Sequence, residues 1–378
     1  MSSTKPLAGM KVLEIGHSIA APYAGMILGE LGADVVKLEN PGRGDYARGW
    51  GPPFVEGVST VFHSMNRAKR GIAADLSDAD TRASVRRLIL AEMDVVLHNL
   101  KPGALDKLGL GAEGLIAEKP SLIFCNIGAF GSKGPLSQLP GYDPLMQAFG
   151  GLMSMLGEDG RPPVRVPVSI MDLATGMWTV IGILAAHAER ARTGRGGIID
   201  TSLYETSCGW MAIPLVDYLA SQVLPKRTGS GVGMIVPYQA FPCSDGYLMV
   251  AAGNDNLFRK LCAVVEKPEL ADDPRFAKNA GRVENRDVII ALLSGQLAGN
   301  TRAAWQARLE AVGVPCGPVQ TLDQVVAHPQ TTALGILQTS PDGNLRTIGL
   351  PLSFDGVRPG YETAAPGLGE HTEAVLRR

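Results

Sequence analysis

The sequence predicts an α/β protein built on a mostly parallel sheet that is covered by helices on both faces. Two observations support this class: short apolar runs bounded by turn residues recur along the first half of the chain, and helical patterns separate them. Parallel strands that are joined by helices are buried on both faces, so their sequences are almost continuously apolar. Ligands of such sheets bind beyond the carboxyl ends of the strands.

Predicted strands and helices alternate from the first apolar run onward. The expected strands are Lys11–Gly16, Asp34–Leu38, Gly71–Leu76, Asp94–Asn99 and Ser121–Asn126. The expected helices include Pro22–Leu31, which Gly32 closes, and Arg82–Met93, which follows a sequence resembling a capping box. The first turn, Gly16–Pro22, lacks the G-x-G-x-x-G pattern, which argues against an NAD-dependent or FAD-dependent dehydrogenase.

Composition limits the classes of protein. The chain has 378 residues, of which 45% are hydrophobic, and its formal net charge is −2. It is therefore long enough for two domains, and a surface that coats nucleic acid is not expected. Five cysteines without a C-x-x-C pair indicate reduced thiols rather than a disulfide framework or a metal site. No signal peptide and no run of membrane-spanning length is expected, which predicts a cytoplasmic protein without a membrane partner.

Asp172 is the only acidic residue in the stretch Ser169–Met177, which leads into a long apolar helix, Leu173–Arg192, closed by Gly194. Two interpretations of Asp172 compete. Its side chain could cap the first free N–H groups of the helix. Alternatively, a carboxylate kept ionised by the helix dipole and enclosed by apolar groups could act as a nucleophile. Spacing alone leaves both open.

Polar and basic side chains are expected at the carboxyl ends of the strands. They are His17, Lys69, Arg70, Asn99 and Lys133. Such residues can form a solvated rim, or together they can hold a phosphate-bearing ligand.

A glycine-rich stretch, Lys226–Met234, contains Gly229, Gly231 and Gly233. No Gly-Lys-Ser/Thr follows, so it is not a Walker loop. It is either a flexible connector or a mobile flap whose bare backbone approaches a ligand and excludes water.

Taken in order, these motifs resemble those of the family III CoA-transferases, the CaiB/BaiF family, which includes formyl-CoA, carnitine and succinyl-CoA-dependent dicarboxylate CoA-transferases. The resemblance covers essentially the whole chain. It is carried by Pro6–Glu14, Leu31–Glu39, Gly44-Asp45, Asn66–Arg70, Asn99–Gly103, Gly141–Asp143, the Asp172 stretch, Gly194–Gly196, Cys316–Pro318 and Gly369–Thr372.

The resemblance implies that Asp172 is the catalytic nucleophile. Its carboxylate would attack a donor acyl-CoA to give a mixed anhydride and then an aspartyl-CoA thioester, which an acceptor carboxylate opens. N–H groups at the start of the helix would stabilise the tetrahedral intermediates, and the glycine-rich flap would exclude water. CoA thioesters are then substrates, no cofactor is permanently bound and no metal is needed. Succinyl-CoA with a small dicarboxylate acceptor is a common pairing in the family.

Substrate-binding residues also follow from the resemblance. Those expected to line the CoA and substrate site are His17, Lys69, Arg70, Asn99, Lys107, Tyr142 and Asp143, and Arg48 is expected to meet a second substrate carboxylate. Pro140 and Asn40 stand where the formyl-CoA branch has a lysine and an arginine. These departures argue against the formyl/oxalate substrate pair and indicate a different grip on CoA.

The architecture implied by the resemblance is a Rossmann-like large domain with a smaller α+β domain, in an interlocked homodimer. Residues 1–206 would form the large domain, 207–328 the small domain, and 329–378 would return to the large one. The rival activity is α-methylacyl-CoA racemase, but racemases have a His-Asp pair where this chain has Tyr142-Asp143. A non-catalytic acyl-CoA-binding protein would be expected to have lost Asp172.

Overall fold

The computed structural model describes residues 5–376. Its strands are β1 (Lys11–Ile15), β2 (Asp34–Glu39), β3 (Phe54–Val55), β4 (Val58–Ser59), β5 (Lys69–Ala73), β6 (Val95–His98), β7 (Ile123–Gly128), β8 (Gly197–Ser202), β9 (Tyr238–Cys243), β10 (Gly246–Ala251), β11 (Cys316–Pro318), β12 (Leu337–Thr339) and β13 (Arg346–Ile348).

The helices are α1 (Ala20–Glu30), α2 (Thr60–Asn66), α3 (Ala79–Ala91), α4 (Ala112–Glu118), α5 (Asp143–Phe149), α6 (Ile170–Thr193), α7 (Leu203–Trp210), α8 (Ala212–Ser221), α9 (Asp255–Val264), α10 (Asn279–Glu284), α11 (Arg286–Leu297), α12 (Arg302–Ala311), α13 (Leu322–Ala327), α14 (Pro329–Ala333) and α15 (Thr372–Leu376). Short 3-10 helices lie at Tyr46–Gly49, Asp106–Leu108, Leu152–Ser154 and Pro268–Ala271.

Six parallel strands form the main sheet in the order β5-β2-β1-β6-β7-β8. Counted along the chain within this sheet, the order is 3-2-1-4-5-6, so the direction of strand addition reverses between β1 and β6. At the centre, Val12 of β1 lies opposite Val35 of β2 and Val95 of β6. The predicted α/β class with a parallel sheet is confirmed.

Each face of the main sheet has its own apolar core. Val12 packs on one face with Met171 and Ile183 of α6, and α1 belongs to the same cluster. Leu13, the next residue of β1, packs on the opposite face with Ile89 of α3. This alternation is what a strand buried on both faces requires, since successive side chains point to opposite sides.

The chain divides into two compact units. The first runs up to Leu152 and adds Val166–Ile213 and the part from His328 onward; the second comprises Met153–Arg165 and Pro214–Ala327. The predicted large domain, residues 1–206, included the segment 153–165 and ended earlier than Ile213, where this part of the first unit ends. The segment 153–165 belongs to the second unit because Glu158 pairs with Thr228, and Gly229 N donates to the Gly157 carbonyl at 2.9 Å.

The second unit is built on the antiparallel sheet β11-β10-β9. Phe241 of β9 and Leu248 of β10 are fully buried, as are Phe258 of α9 and Leu293 of α11. The unit therefore has a core of its own.

Helix α6 has the predicted apolar character but is longer than the predicted range, Leu173–Arg192, because it runs from Ile170 to Thr193. With 24 residues it is the one described helix that by length and composition could cross a membrane, so the expectation that no run reaches that length is wrong. Met171, Ala174, Val180 and Ile183 of α6 are buried against the main sheet and α1. The helix is apolar because one of its faces is part of the core.

Candidate active site

Asp172 is the third residue of α6 and lies within its first turn. The N-cap is Ser169, whose side chain makes no capping hydrogen bond. The helix starts before Asp172 because Leu173 N already donates to the Ser169 carbonyl at 3.0 Å. Of the two interpretations, the one in which Asp172 is the N-cap is therefore wrong.

The carboxylate that does cap α6 belongs to Asp143, the first residue of α5. Its Oδ2 accepts hydrogen bonds from Met171 N at 2.6 Å and from Asp172 N at 3.4 Å. Its Oδ1 accepts from Gln147 Nε2 at 2.6 Å, and Val166 N holds the Gln147 Oε1 at 2.8 Å. Because both oxygens of the buried Asp143 accept, position 143 needs a carboxylate rather than an amide.

These contacts use the N–H groups at the start of α6. Ile170 N donates to the Val168 carbonyl at 2.8 Å, Met171 N and Asp172 N donate to Asp143, and Leu173 N donates to Ser169. The prediction that these groups serve as oxyanion donors is therefore contradicted, since they already have protein acceptors. Asp143 itself is buried, and its carboxylate caps the start of α6.

Burial raises the pKa of Asp172 to about 7, and the nearby Asp143 carboxylate adds to the rise. The helix dipole favours the ionised form by only about 0.3–1 kcal/mol, whereas one pKa unit corresponds to roughly 1.4 kcal/mol. The expectation that the dipole keeps Asp172 ionised is therefore wrong for acidic pH. Near pH 7 a large fraction is ionised, and a more basic carboxylate is a better nucleophile than an ordinary one.

A cleft of about 280 Å³ opens at the carboxyl edge of the main sheet. His17, which lines it, and Asn99, which precedes the lining residue Leu100, exchange two hydrogen bonds: His17 N donates to Asn99 Oδ1 at 3.0 Å, and Asn99 Nδ2 donates to the His17 carbonyl at 2.8 Å. His17 follows β1 and Asn99 follows β6, as predicted. The pair therefore lies where the strand order reverses, which is the usual ligand position in such sheets.

A buried ionic network holds the turn after β1. Lys37 Nζ lies 2.9 Å from Glu14 Oε1, from Asp45 Oδ2 and from the Gly16 carbonyl. Asp45 Oδ1 accepts from Ser18 N at 2.9 Å, and Ser18 has the left-handed φ of 70°. This network was not predicted; its signal was one charged residue at an interior position of each of two strands, Glu14 in β1 and Lys37 in β2. Such a network is costly to bury, and here it fixes an unusual backbone conformation beside the cleft.

Helix α6 approaches the start of α1 through a glycine. A Cβ on Gly176 would lie 2.9 Å from the Ala20 carbonyl and 3.0 Å from the Tyr23 ring, so only glycine permits this contact with the start of α1. Asp172 is four residues earlier on the same face of α6, roughly 6 Å along the helix axis. Since α1 begins directly after the His17 turn, α6 packs on the helix that leads out of that turn.

The sequence pattern of CoA-transferase family III matches residues 7–372. The chain belongs to CoA-transferase family III. It is 38% identical to succinyl-CoA:glutarate CoA-transferase of Mus musculus, over 99% of this chain and 86% of the relative. It is 36% identical to succinate–glutarate CoA-transferase of Agrobacterium fabrum, over 98% of this chain and 95% of the relative.

A solved structure has the same fold. A CaiB/BaiF family protein from Brucella suis is 42% identical, with a TM-score of 0.88 and 99% coverage of both chains. The resemblance to family III CoA-transferases that the motifs indicated is confirmed, and the chain is a transferase of this family.

Two of the basic residues that the family resemblance assigned to CoA lie elsewhere in this CoA-transferase. Lys69 and Arg70 open β5, two residues before the predicted start of the strand, so the prediction that they lie at the carboxyl edge is wrong. Lys69 Nζ is fully buried 2.6 Å from Glu14 Oε2 and donates to the Pro22 carbonyl at 2.8 Å. Arg70 makes a two-point contact with Asp34 at 2.9 and 2.6 Å.

The other predicted substrate contacts differ in exposure. Arg48, expected to meet a substrate carboxylate, makes a two-point contact with Glu39 at 2.8 and 2.7 Å and lies over the Phe62 ring. Lys107 is exposed on the 3-10 helix that contributes the cleft residue Leu108, and Tyr142 is also exposed. The assignments of Lys107 and Tyr142 to substrate binding stay predictions.

The glycine-rich stretch of this CoA-transferase lies in the second unit and has internal contacts. Gly231 N donates to the Thr228 carbonyl at 2.9 Å, and Thr228 Oγ1 donates to the Gly231 carbonyl at 2.6 Å. Arg286 Nη2 donates to the carbonyl of Gly233 at 2.7 Å, and Gly229 has a left-handed φ of 61°. The stretch is a hydrogen-bonded turn in this conformation, and its role as a flap stays a prediction.

All five cysteines are free, and burial raises the pKa of Cys125 and Cys262 to about 12. Within residues 5–376 no group of three or more His, Cys, Asp or Glu side chains is placed to hold a metal ion.

Proposed function

We propose that this protein transfers CoA from succinyl-CoA to a small dicarboxylate such as glutarate. The observation that carries the proposal is a half-buried carboxylate, Asp172, whose pKa is near 7 and which lies in the first turn of α6, in the same unit as a cleft at the strand-order reversal of a doubly wound sheet. The substrate pair is supported by the names of relatives from Mus musculus and Agrobacterium fabrum that match nearly the whole chain.

The proposed first half-reaction has two steps. One oxygen of Asp172 attacks the thioester carbonyl carbon of the donor; the C–S bond breaks, and the CoA thiolate leaves with the bonding electrons. The thiolate then attacks the aspartyl carbonyl of the resulting mixed anhydride and expels the donor as a free carboxylate. The product is an aspartyl-CoA thioester.

The second half-reaction repeats these steps in reverse order with the acceptor. An acceptor carboxylate oxygen attacks the aspartyl thioester and releases the thiolate, and the thiolate attacks the acceptor carbonyl of the new anhydride. Asp172 is regenerated as a carboxylate, and a new acyl-CoA leaves. Every step exchanges a carboxylate with a thiolate, so no electron and no net proton is consumed. Each anhydride must be kept from water, the proposed task of the stretch around Gly229, Gly231 and Gly233.

The test is an assay with the purified full chain. Succinyl-CoA is mixed with glutarate, oxalate, mesaconate and formate in turn, and CoA thioesters are separated by chromatography. Glutaryl-CoA is the expected product, with ping-pong kinetics because the enzyme holds the CoA between half-reactions. Absence of transfer to every acceptor, combined with exchange of the α-proton of a 2-methylacyl-CoA, would replace the proposal with racemase activity.

We also propose that two copies form a homodimer. Met177, Trp178 and Ile181 on the outer side of α6 are 46%, 48% and 50% exposed, an unusual amount of apolar surface on one helix, and a second copy of the chain is the proposed partner. Light scattering after gel filtration should give twice the chain mass of 39.9 kDa. Ile181→Glu should shift the mass towards the monomer, whereas a monomeric parent protein would contradict the proposal. Cytoplasmic location stays a prediction.

A further inference from the structure

The cleft at the carboxyl edge has an uneven distribution of charge. Its described lining includes the carboxylates of Glu39, Asp45 and Asp75, and Arg43 is the single arginine or lysine. Glu39 is neutralised by Arg48, and Asp45 by Lys37. Arg43 is therefore the cation that the cleft presents to an incoming ligand.

The turn that presents Arg43 is built by Asn40. The Asn40 Oδ1 accepts hydrogen bonds from Gly42 N at 2.9 Å and from Arg43 N at 3.3 Å, and Gly44 N donates to the Asn40 carbonyl at 2.9 Å. Gly44 has a left-handed φ of 63°, which closes the turn. The amide at position 40 is thus used by the backbone, and the basic side chain stands three residues later in the sequence.

Arg43 is oriented without being neutralised. Its Nη1 donates to the Tyr46 hydroxyl at 3.0 Å, and its guanidinium carbon lies 5.3 Å from the centre of the Tyr46 ring. The same ring contacts His17 edge-on, with 5.4 Å between ring centres. In contrast to Arg48, Lys37 and Lys69, Arg43 has no carboxylate within ion-pair distance among the described residues. Most of its five N–H donors therefore remain available.

We propose that Arg43 binds a phosphate group of the CoA thioester and that Tyr46 holds the guanidinium in position for it. A planar guanidinium can donate two parallel hydrogen bonds to a phosphate, and the half-exposed Tyr46 ring restricts its rotation. This inference rests on the proposed function, because it names a contact to the CoA of that reaction. It also supplies an arginine for CoA binding in a chain that has Asn40 where the formyl-CoA branch has an arginine.

The test compares Arg43→Ala and Arg43→Lys with a matched control, Arg87→Ala. Arg87 of α3 is also exposed, donates a hydrogen bond to the Ser84 hydroxyl at 2.8 Å and is not among the residues that line the cleft. Arg43→Ala should raise KM for succinyl-CoA about 10- to 100-fold while kcat changes by less than about threefold. Arg43→Lys should recover part of the loss, since it keeps the charge but not the planar fork.

Two shortened donors identify the phosphate. With S-succinyl-pantetheine, which lacks all CoA phosphates, the parent protein and Arg43→Ala should have the same KM. With 3′-dephospho-succinyl-CoA, loss of the difference between the two proteins assigns Arg43 to the 3′-phosphate, and persistence of the difference assigns it to the diphosphate. Both results support a phosphate contact.

Two results would overturn the inference. One is a KM for succinyl-CoA in Arg43→Ala within about twofold of the parent value. The other is an equal loss with S-succinyl-pantetheine, which would mean a general disturbance of the cleft. Calorimetric titration with free CoA separates this inference from the proposed reaction: Arg43-dependent CoA binding without any transfer would refute the reaction and leave the phosphate contact standing.

Discussion

Asp172→Asn should reduce CoA transfer by at least about 10³-fold, the largest activity loss expected for any single substitution in this chain. The amide is nearly the same size as the carboxylate and cannot form the anhydride. Initial rates with succinyl-CoA and glutarate measure the loss. Asp80→Asn is a matched control because Asp80 also lies in the first turn of a helix, α3, but is exposed and is not one of the residues that line the cleft.

Trapping the covalent intermediate tests whether Asp172 is the residue that carries it. The parent protein is mixed with succinyl-CoA, treated with borohydride or hydroxylamine and digested, and the modified peptide is identified by mass spectrometry. A label confined to Asp172 and absent from Asp172→Asn and Asp172→Ala is expected. Full activity of Asp172→Asn, or a label on another residue, would refute the nucleophile.

Asp172→Asn should also stabilise the fold at alkaline pH. Because the pKa of Asp172 is about 7 in the folded protein and near 4 in the unfolded chain, the folded state binds more protons between these values. Stability contributed by the neutral acid is present below about pH 4 and is lost as pH rises through 7. At pH 8 the free energy of unfolding of the variant should therefore be about 1–3 kcal/mol higher, which is measured as a higher Tm. A lower Tm would contradict the raised pKa of Asp172.

Asp143→Asn should have the second-largest effect, because it changes both the charge state of Asp172 and the capping of α6. For the parent protein, kcat/KM for succinyl-CoA should fall about tenfold per pH unit below pH 7, where Asp172 becomes protonated. Removing the neighbouring negative charge lowers the pKa of Asp172, so this acid limb should move to lower pH.

The same substitution should destabilise the fold. An asparagine at 143 has one acceptor oxygen, so its NH₂ must face either Met171 N or the Gln147 amide, both of which donate. Turning the Gln147 amide would instead break its contact with Val166 N. The loss should be about 1–3 kcal/mol, measured as a lower midpoint in urea.

Gln147→Ala separates the two effects of Asp143→Asn. It removes the hydrogen bond to Asp143 Oδ1 while both carboxylates remain. We expect lower stability with an acid limb that stays near pH 7. An unchanged acid limb in Asp143→Asn would show that Asp143 does not influence the charge of Asp172.

Much of the fold follows from local sequence. The apolar runs of β1, β2 and β6, the glycine that closes α1 and the missing dinucleotide fingerprint all depend on residues close together in the chain, and the parallel sheet was predicted from them. His17 and Asn99 were placed correctly because the carboxyl ends of parallel strands meet at one edge. The family was identified for the same reason, since its motifs are short and ordered.

The sequence did not show which basic side chains are paired with carboxylates in the folded protein. Lys69, Arg70 and Arg48 were expected to bind substrate because a basic residue near a strand end is free as far as the sequence shows. Their carboxylate partners, Glu14, Asp34 and Glu39, lie 9 to 55 positions away in the chain. Lys69 and Arg70 meet Glu14 and Asp34 only when β1, β2 and β5 pair, and Arg48 meets Glu39 only when the chain turns back after β2.

By itself, the sequence determined the α/β class and the family, since these depend on periodicity and on motifs that are continuous along the chain; the role of Asp172 as the nucleophile is what the family resemblance implies, and it stays a proposal. Only the tertiary structure decided which charges are free. It showed that Asp143 is enclosed as the cap of α6, that burial brings the pKa of Asp172 to about 7, and that Arg43 is the unpaired cation of the cleft. The physical reason is that desolvation and ion pairing depend on distances through space, which residues far apart in sequence acquire only on folding.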